Sequence, residues 1–268
     1  MSSALKFAAP TAFASASRYG KLAAEPSGIL GSKLKIWLDA EDTDYLLNNA
    51  GVPVSNGQTV REWASKVGSA RFEQATDALR AIYGAATFGG RPGLTGDGSN
   101  DVMSILAGSP ADLADGAEDG EIWARYENLT PDATTTLQWV VGYGQNTAHN
   151  GRGITRQKVS GQSRMVPYDS TSGPNGVQQM TGPQWGAAFF YTDASVQYVG
   201  GSEGGTLLTP VASAFNTNTT AACLWSRPSS SAGSFFNGRI AEVLFVAGRT
   251  DADERAALKT YLDGRLAA

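Results

Sequence analysis

The chain has 268 residues, 41% of them hydrophobic and 17% charged, with a formal net charge of -4. That composition excludes a disordered polymer, and it withholds the positive field that nucleic-acid binding requires. The longest apolar runs, such as Ala187-Ala188-Phe189-Phe190-Tyr191, fall far short of the roughly 20 residues of a membrane span, and the single cysteine, Cys223, excludes an intrachain disulfide.

Residues 1–30 differ from the rest. They are rich in Ala and Ser, and Lys6, Pro10, Thr11 and Ser15 interrupt any apolar run, which is not the pattern of a secretory signal. A lone Arg18 does not supply the amphipathic basic helix of a transit segment. The expectation is an extended arm over 1–30, followed by one domain over 31–268. An arm without a core of its own takes its shape by burial against another molecule, and Leu5, Phe7, Phe13 and Tyr19 are its candidate contact residues.

A first strand is expected at Leu34-Lys35-Ile36-Trp37-Leu38-Asp39, and it runs into an acidic crowd of Asp39, Glu41, Asp42 and Asp44. The turn Gly93-Leu94-Thr95-Gly96-Asp97-Gly98-Ser99-Asn100-Asp101 holds a second such crowd. Asp97, Asn100 and Asp101 offer the oxygen ligands that Ca²⁺ takes, without completing the full acidic calcium loop. Asp and Asn bonding their own backbone in tight turns account for both crowds as well. The stretch 72–80 has helix-forming residue types.

In Glu121-Ile122-Trp123-Ala124-Arg125-Tyr126-Glu127, apolar Ile122, Ala124 and Tyr126 alternate with Glu121, Trp123, Arg125 and Glu127, the period of a half-buried strand. Further strands are expected over 137–143, 153–159, 164–168, 185–192, 196–200 and 221–226. The pair 185–192 and 196–200 reads as a hairpin turning at Asp193-Ala194. Strands at such short intervals favour two packed antiparallel sheets. The acidic run Glu118-Asp119-Gly120-Glu121 reads as a solvated loop, because carboxylates on opposite strand faces cannot share one substrate bond.

Trp37, Trp63 and Trp185 are expected in the core. A sugar-stacking platform needs a ring beside amide or carboxylate groups, and Trp123 with Glu127, or Tyr143 with Gln145, Asn146 and His149, would suit. Gly142-Tyr143-Gly144 and the glycines near 200–205 lack the Lys-Ser/Thr and the helix start of a phosphate cradle. Cys223 reads as a small hydrophobe, since a catalytic thiol would need an oriented base and His149 is the single histidine.

After the Asn237-Gly238 turn signal a β-branched and aromatic run predicts a strand ending at Gly248. Glu242 lies in it among apolar Ile240, Leu244 and Val246, so it needs a partner, for which Arg61, Arg91 and Arg239 are candidates. Thr250 is placed to cap a helix with Asp253 in its first turn, and Leu258, Tyr261, Leu262 and Leu266 then recur on one helical face. Ser229-Ser230-Ser231-Ala232-Gly233-Ser234 is a loop by composition.

The block Gly238-Arg239-Ile240-Ala241-Glu242-Val243-Leu244 with the Asp253-Glu254-Arg255 helix start resembles the closing segment of concanavalin A-like (LamG-type) lectin/glucanase jelly rolls. Leu34-Lys35-Ile36-Trp37-Leu38-Asp39-Ala40-Glu41-Asp42, then Val60-Arg61-Glu62-Trp63, Arg91-Pro92 and the Gly93 to Asp101 turn, resemble that family's opening in the same order. The resemblance covers about 31–268. It implies an all-β, two-sheet antiparallel jelly-roll sandwich with an extended N-terminal arm and a short C-terminal α-helix, and it sets a loop against the helical reading of 72–80.

Such sandwiches host glycan binders, glycosidases and structural modules alike. The laminarinase-like hydrolases among them carry their acids in a Glu-x-Asp-x-x-Glu pattern that places acid and nucleophile on one face. That pattern is absent here, so the expectation is a noncatalytic structural or attachment protein. Its leading form is a bacteriophage virion component, made in the host cytoplasm and oligomeric in its assembly. The arm would dock on other virion proteins and the sandwich would meet host-surface glycans. The alternatives are a secreted or surface carbohydrate-binding module, extracellular, and a glycoside hydrolase of unfamiliar geometry. No cofactor is expected apart from the Ca²⁺ considered above, and no nucleic acid or membrane partner.

Overall fold

The computed structural model describes residues 24–106, 113–130, 137–145, 150–159, 162–168, 182–217, 221–228 and 234–266. In chain order they form α1 (Pro26–Leu30), β1 (Leu34–Asp39), β2 (Leu46–Leu47), β3 (Glu62–Ala64), β4 (Arg71–Glu73), β5 (Ile82–Phe88), β6 (Arg91–Asp97), β7 (Met103–Ile105) and β8 (Gly120–Asn128). There follow β9 (Gln138–Gly144), β10 (Gly151–Val159), β11 (Gln162–Tyr168), β12 (Gly182–Asp193), β13 (Val196–Glu203), β14 (Thr206–Ala212), β15 (Ala222–Leu224), β16 (Asn237–Ala247) and α2 (Ala252–Leu266).

The strands make an all-β sandwich of two antiparallel eight-stranded sheets. The first has the order β14-β13-β12-β8-β16-β6-β5, with β1 also paired to β16, and the second runs β11-β10-β9-β15-β7-β4-β3-β2. Between them lies a core to which Ile122, Ala124 and Tyr126 of β8 contribute, with Trp63, Phe72, Tyr143 and Phe245. Phe245 ties the sheets together, its ring 6.2 Å from Phe72 and 5.8 Å from Tyr143. Cys223 is buried as well, but on the opposite face of β15 from core residues Ala222 and Leu224, with its sulfur 3.5 Å from the Ser104 hydroxyl.

A second apolar layer covers the outer face of the first sheet. There Trp37, Trp123, Trp185, Phe189, Leu244 and Val246 meet Leu258, Tyr261 and Leu262 of α2, the helical face that the leucine spacing predicts, and Leu30 of α1. The expectation of a half-buried β8 therefore changes: the polar side is roofed by α2 instead of facing water, and only Glu127 of that strand escapes full burial. All six tryptophans are buried, Trp37, Trp63 and Trp185 among them as expected.

Four local expectations shift. The 72–80 stretch is not helical: β4 ends at Glu73, and a 3-10 turn spans Asp77–Leu79. The cause is Arg80, whose guanidinium donates to the carbonyls of Gln74 (2.6 Å) and Ala75 (2.5 Å) and to Asp77, satisfying a loop backbone that a helix would have satisfied itself. The β12–β13 hairpin turns one residue later than expected, with Ala194 and Ser195 at φ 45° and 70°. That is the left-handed pair a two-residue hairpin demands, here without glycine.

The start of α2 also moves by one residue. Asp251 Oδ1 accepts from the N–H of Glu254 and Glu254 Oε2 accepts from the N–H of Asp251, both at 2.8 Å, a reciprocal capping box. Thr250 is buried instead and gives its hydroxyl to Glu121. Finally, Glu242 does not share a face with Ile240. Between Ile240 and Glu242 β16 advances two residues while β8 advances one, so Ala241 is the extra residue of a bulge. The bulge leaves Ile240 in the inter-sheet core and turns Glu242 outward beneath α2.

Candidate functional site

The sequence offered two alternative glycan platforms, Trp123 with Glu127 and Tyr143 with Gln145, Asn146 and His149. The structure separates Trp123 from Tyr143. Trp123 lies on the outer face of the first sheet, whereas Tyr143 points into the inter-sheet core, where Arg152 sits 5.8 Å from its ring. Burial holds the Tyr143 phenol protonated, against the pull of Arg152. Asn146 and His149 lie outside the described residues, as do Leu5, Phe7, Phe13 and Tyr19 of the arm and most of the 229–234 loop.

The calcium candidates turn onto their own backbone. Asp101 Oδ2 accepts from the N–H of Asp97 at 2.7 Å, and Asp97 Oδ1 accepts from the N–H groups of Ser99 (2.7 Å) and Asn100 (3.3 Å). Burial raises the pKa of Asp101 above the ordinary carboxylate value, although the Asp97 N–H opposes it. Among the described residues no cluster of three or more His, Cys, Asp or Glu side chains is arranged to hold a metal ion.

What the fold does build is a cleft between α2 and the β12–β14 side of the first sheet, with a volume of about 280 Å³. Its floor is aromatic. Trp123 on β8 lies opposite Ala187, between Trp185 and Phe189, which are four residues apart on β12, and it meets both at diagonal cross-strand positions. Its ring stacks on Trp185 at 5.7 Å and 28° and lies 5.5 Å from Phe189. Ser202 of β13 and Leu207 of β14 continue the floor toward the sheet edge, and Leu207 is 68% exposed.

The opposite wall is one face of α2. Ala252 and Ala256 leave space there, while Arg255 and Lys259 border it. The Arg255 guanidinium sits 4.9 Å from the Phe189 ring centre, a cation over an aromatic face. Lys259 crosses the β13–β14 turn at Gly205, where φ is +86° and an added Cβ would lie 2.7 Å from the lysine Cε. The backbone conformation calls for glycine at that point.

The carboxylates bordering the cleft are already engaged. Glu121 Oε2 accepts from Trp123 Nε1 at 2.9 Å, and Glu121 Oε1 accepts from the Thr250 N–H (2.9 Å) and hydroxyl (2.8 Å), with Arg255 at 3.4 Å. Asp263 accepts from Trp185 Nε1 at 2.8 Å and pairs with Lys259. Each indole is thus pinned by a carboxylate, which holds its ring plane in place.

Beyond the cleft, under the last turns of α2, the same sheet face carries charge. Glu242 is fully buried. It accepts from Trp37 Nε1 (2.8 Å), the Tyr261 hydroxyl (2.7 Å) and Arg125 Nε (2.7 Å). None of the three arginines proposed from sequence is its partner. Arg61 pairs with Glu73, Arg91 with Glu41, and Arg239 with Glu127, because the bulge aims Glu242 at β8 and α2 instead. Arg265 closes the group, reaching Asp39 at 2.6 Å and Glu41 at 3.1 Å. Burial alone would raise the Glu242 carboxyl, but Arg265 and Arg125, with the Tyr261 and Trp37 hydrogen bonds, hold it below the usual range. Asp39 goes the other way: burial and the Glu242 charge raise it, outweighing Arg265 and Lys66.

Sequence reasoning found Trp123 but missed Phe189, Ser202, Leu207, Arg255 and Lys259, and it assigned Trp185 to the core alone. A signal was present. Trp185, Phe189 and Tyr191 share one face of β12, while Ala252 and Ala256 share a face of α2 with Arg255 and Lys259 one turn apart.

No protein-family model matches the chain, and no curated protein is similar to it. Solved structures do match in fold. A mutant GH54 α-L-arabinofuranosidase soaked with 4-nitrophenyl α-L-arabinofuranoside superposes with a TM-score of 0.59 at 11% identity, over 88% of this chain and 65% of that one. A Trypanosoma rangeli sialidase in complex with sialic acid gives 0.54 at 11% identity, over 90% and 35%. The binding domain of botulinum neurotoxin serotype D gives 0.52 at 8%, over 90% and 53%. The chain therefore spans between about a third and about two thirds of these structures' lengths. At such identities the likeness is one of fold, a two-sheet antiparallel jelly-roll sandwich.

Proposed function

We propose that this chain is a noncatalytic, lectin-like attachment module that holds a sugar in the cleft beside α2. The observation that carries the proposal is a ring-floored cleft of about 280 Å³ whose two indoles are locked by carboxylates. The volume sits at the lower end of small-molecule pockets and suits a single sugar ring. Flat aromatic faces take the C–H face of a sugar, and Ser202, Arg255 and Lys259 supply hydrogen bonds to its hydroxyls. A hydrolase would need one carboxyl free to donate a proton and a second free to attack or activate water. Glu121 and Asp263 instead spend their oxygens on indoles, Thr250 and Lys259. The matched enzymes act in sugar chemistry, but the sugar reading rests on the cleft.

Glycan-array binding, followed by titration on the fluorescence of Trp123 and Trp185, tests this. Ala256→Phe places a ring in the cleft from an exposed helix position, and it should weaken the array hit at least about tenfold with the melting temperature unchanged. A wild-type protein that binds no glycan overturns the proposal. Polysaccharide turnover that is lost in Glu121→Gln would make the chain a hydrolase.

The narrower reading, a virion component carried into a particle by its N-terminal arm, is drawn from the sequence resemblance. Its test is deletion of residues 1–23: the truncated protein should fold and bind sugar but fail to join a particle, and retained incorporation removes the anchor role.

A further inference from the structure

The aromatic floor does not stop at Phe189. Tyr191 follows it on the same face of β12, and its ring stacks on Tyr198, directly opposite on β13, with centroids 5.5 Å apart and planes 23° apart. Two residues of strand advance about 7 Å. That step is of the order of one sugar ring with its glycosidic oxygen. A guanidinium recurs as well: Arg249 lies 4.4 Å from the Tyr191 ring centre, as Arg255 does over Phe189. Between the two rings β13 presents Gly200, where an added Cβ would touch Tyr191 at 3.4 Å and Pro210 at 3.7 Å, so the floor there is bare backbone and flat rings.

The two stations differ in one respect. Arg255 is tied to Glu121 and Thr250, whereas exposed Arg249 makes no side-chain ion pair or hydrogen bond among the described residues. Its side chain rests on Tyr191 and keeps its N–H donors for something else. Tyr191 and Tyr198 are half-buried, unlike the rings of the cleft floor.

We propose that Tyr191, Tyr198 and Arg249 form a second sugar subsite, and that the ligand is a linear oligosaccharide running along β12 from the cleft to the hairpin tip. This rests on the carbohydrate reading of the cleft. The C–H face of a sugar unit replaces the guanidinium over Tyr191, and the displaced Arg249 turns its donors to that unit's hydroxyls. The cleft then sets which terminal unit is accepted, and the outer subsite sets how chain length is rewarded.

Calorimetric titration with one- to four-unit cello-, xylo- and arabino-oligosaccharides tests the track. In a series that binds, Kd should fall about tenfold from one unit to three, and both Tyr191→Ala and Arg249→Ala should erase that gain with the one-unit Kd unchanged within about twofold. Should Tyr191→Ala lower the melting temperature, Arg249→Ala carries the test, since among the described residues that exposed side chain hydrogen-bonds and pairs with no other side chain. A Kd independent of length, or variants that weaken one and three units equally, overturns the track. If a single unit still binds and Ala256→Phe abolishes it, the cleft survives that outcome. Failure of every series to bind overturns both.

Discussion

The two ends of α2 meet the same sheet face and solve opposite problems. Its last turns cover Asp39, Glu41, Arg125 and Glu242 and fill the space with paired charge, with Arg265 inserted among the carboxylates. Its first turns cover Trp123, Trp185 and Phe189 with Ala252 and Ala256, and a cleft remains. Charge needs directional partners and so tolerates no gap, whereas flat rings capped by small residues leave one. One end fixes the helix in place, and the other keeps room beside it.

Removing a single member of the ionic end should have the largest effect. Glu242→Ala leaves Arg125 and Arg265 without their shared counter-charge and should cost about 3–5 kcal/mol in urea denaturation. The same substitution should loosen the cleft wall, so ligand affinity would fall with stability. If Glu242→Ala melts like the wild type, the anchoring role assigned to that end is wrong.

Acid separates the two carboxylates of that end. Glu242 has a folded pKa below its ordinary 4.5, so it adds stability above that value which is lost as the pH falls through the folded pKa. Asp39 has a folded pKa above its ordinary 3.8, so its ionised form opposes folding at neutral pH, and protonation relieves that opposition as the pH falls. Urea midpoints measured downward from neutral pH should therefore drop less steeply below about pH 4.5 in Glu242→Gln, and more steeply above about pH 3.8 in Asp39→Asn. Equal slopes in both variants would contradict the assignment.

The aromatic end should respond more mildly in stability and more sharply in binding. Phe189→Leu keeps an apolar floor, so it should cost about 1 kcal/mol while removing the ring that Trp123 and Arg255 both touch. Sugar affinity should fall further than stability. A change confined to stability sharpens the comparison at the point both ends depend on: Asp251→Ala removes half of the capping box and should cost about 1 kcal/mol, with Asn in its place restoring most of that.

Much of the scaffold was legible in the residues. The alternation in β8 assigned Ile122, Ala124 and Tyr126 to one side correctly, and the leucine spacing of α2 marked its buried face, because period 2 and period 3.6 are local properties. What escaped was set by distant contacts. Nothing in 240–246 announces the bulge at Ala241, since that irregularity exists only relative to β8, and so the partners of Glu242 were misassigned. Trp123 and Tyr143 look alike as rings beside polar neighbours, yet Trp123 stands on the outer face of the first sheet while Tyr143, on the second, points into the core between them. The short strands β2, β3, β4 and β7 carry too few residues to show a period, and only their pairing defines them.

The position of β16 has a kinetic consequence. One of its edges is paired with β8, and the other is shared by β6 along Asn237 to Ile240 and by β1 along Glu242 to Val246. Three segments from the first half of the chain thus wait for one strand made about a hundred residues or more after them. Such distant pairing slows folding, since loop-closure entropy must be overcome before the contacts form. During synthesis β1, β6 and β8 have no common neighbour until Ala247 has emerged. A nascent chain halted short of that point should stay protease-sensitive over 34–128, however long it is left to equilibrate.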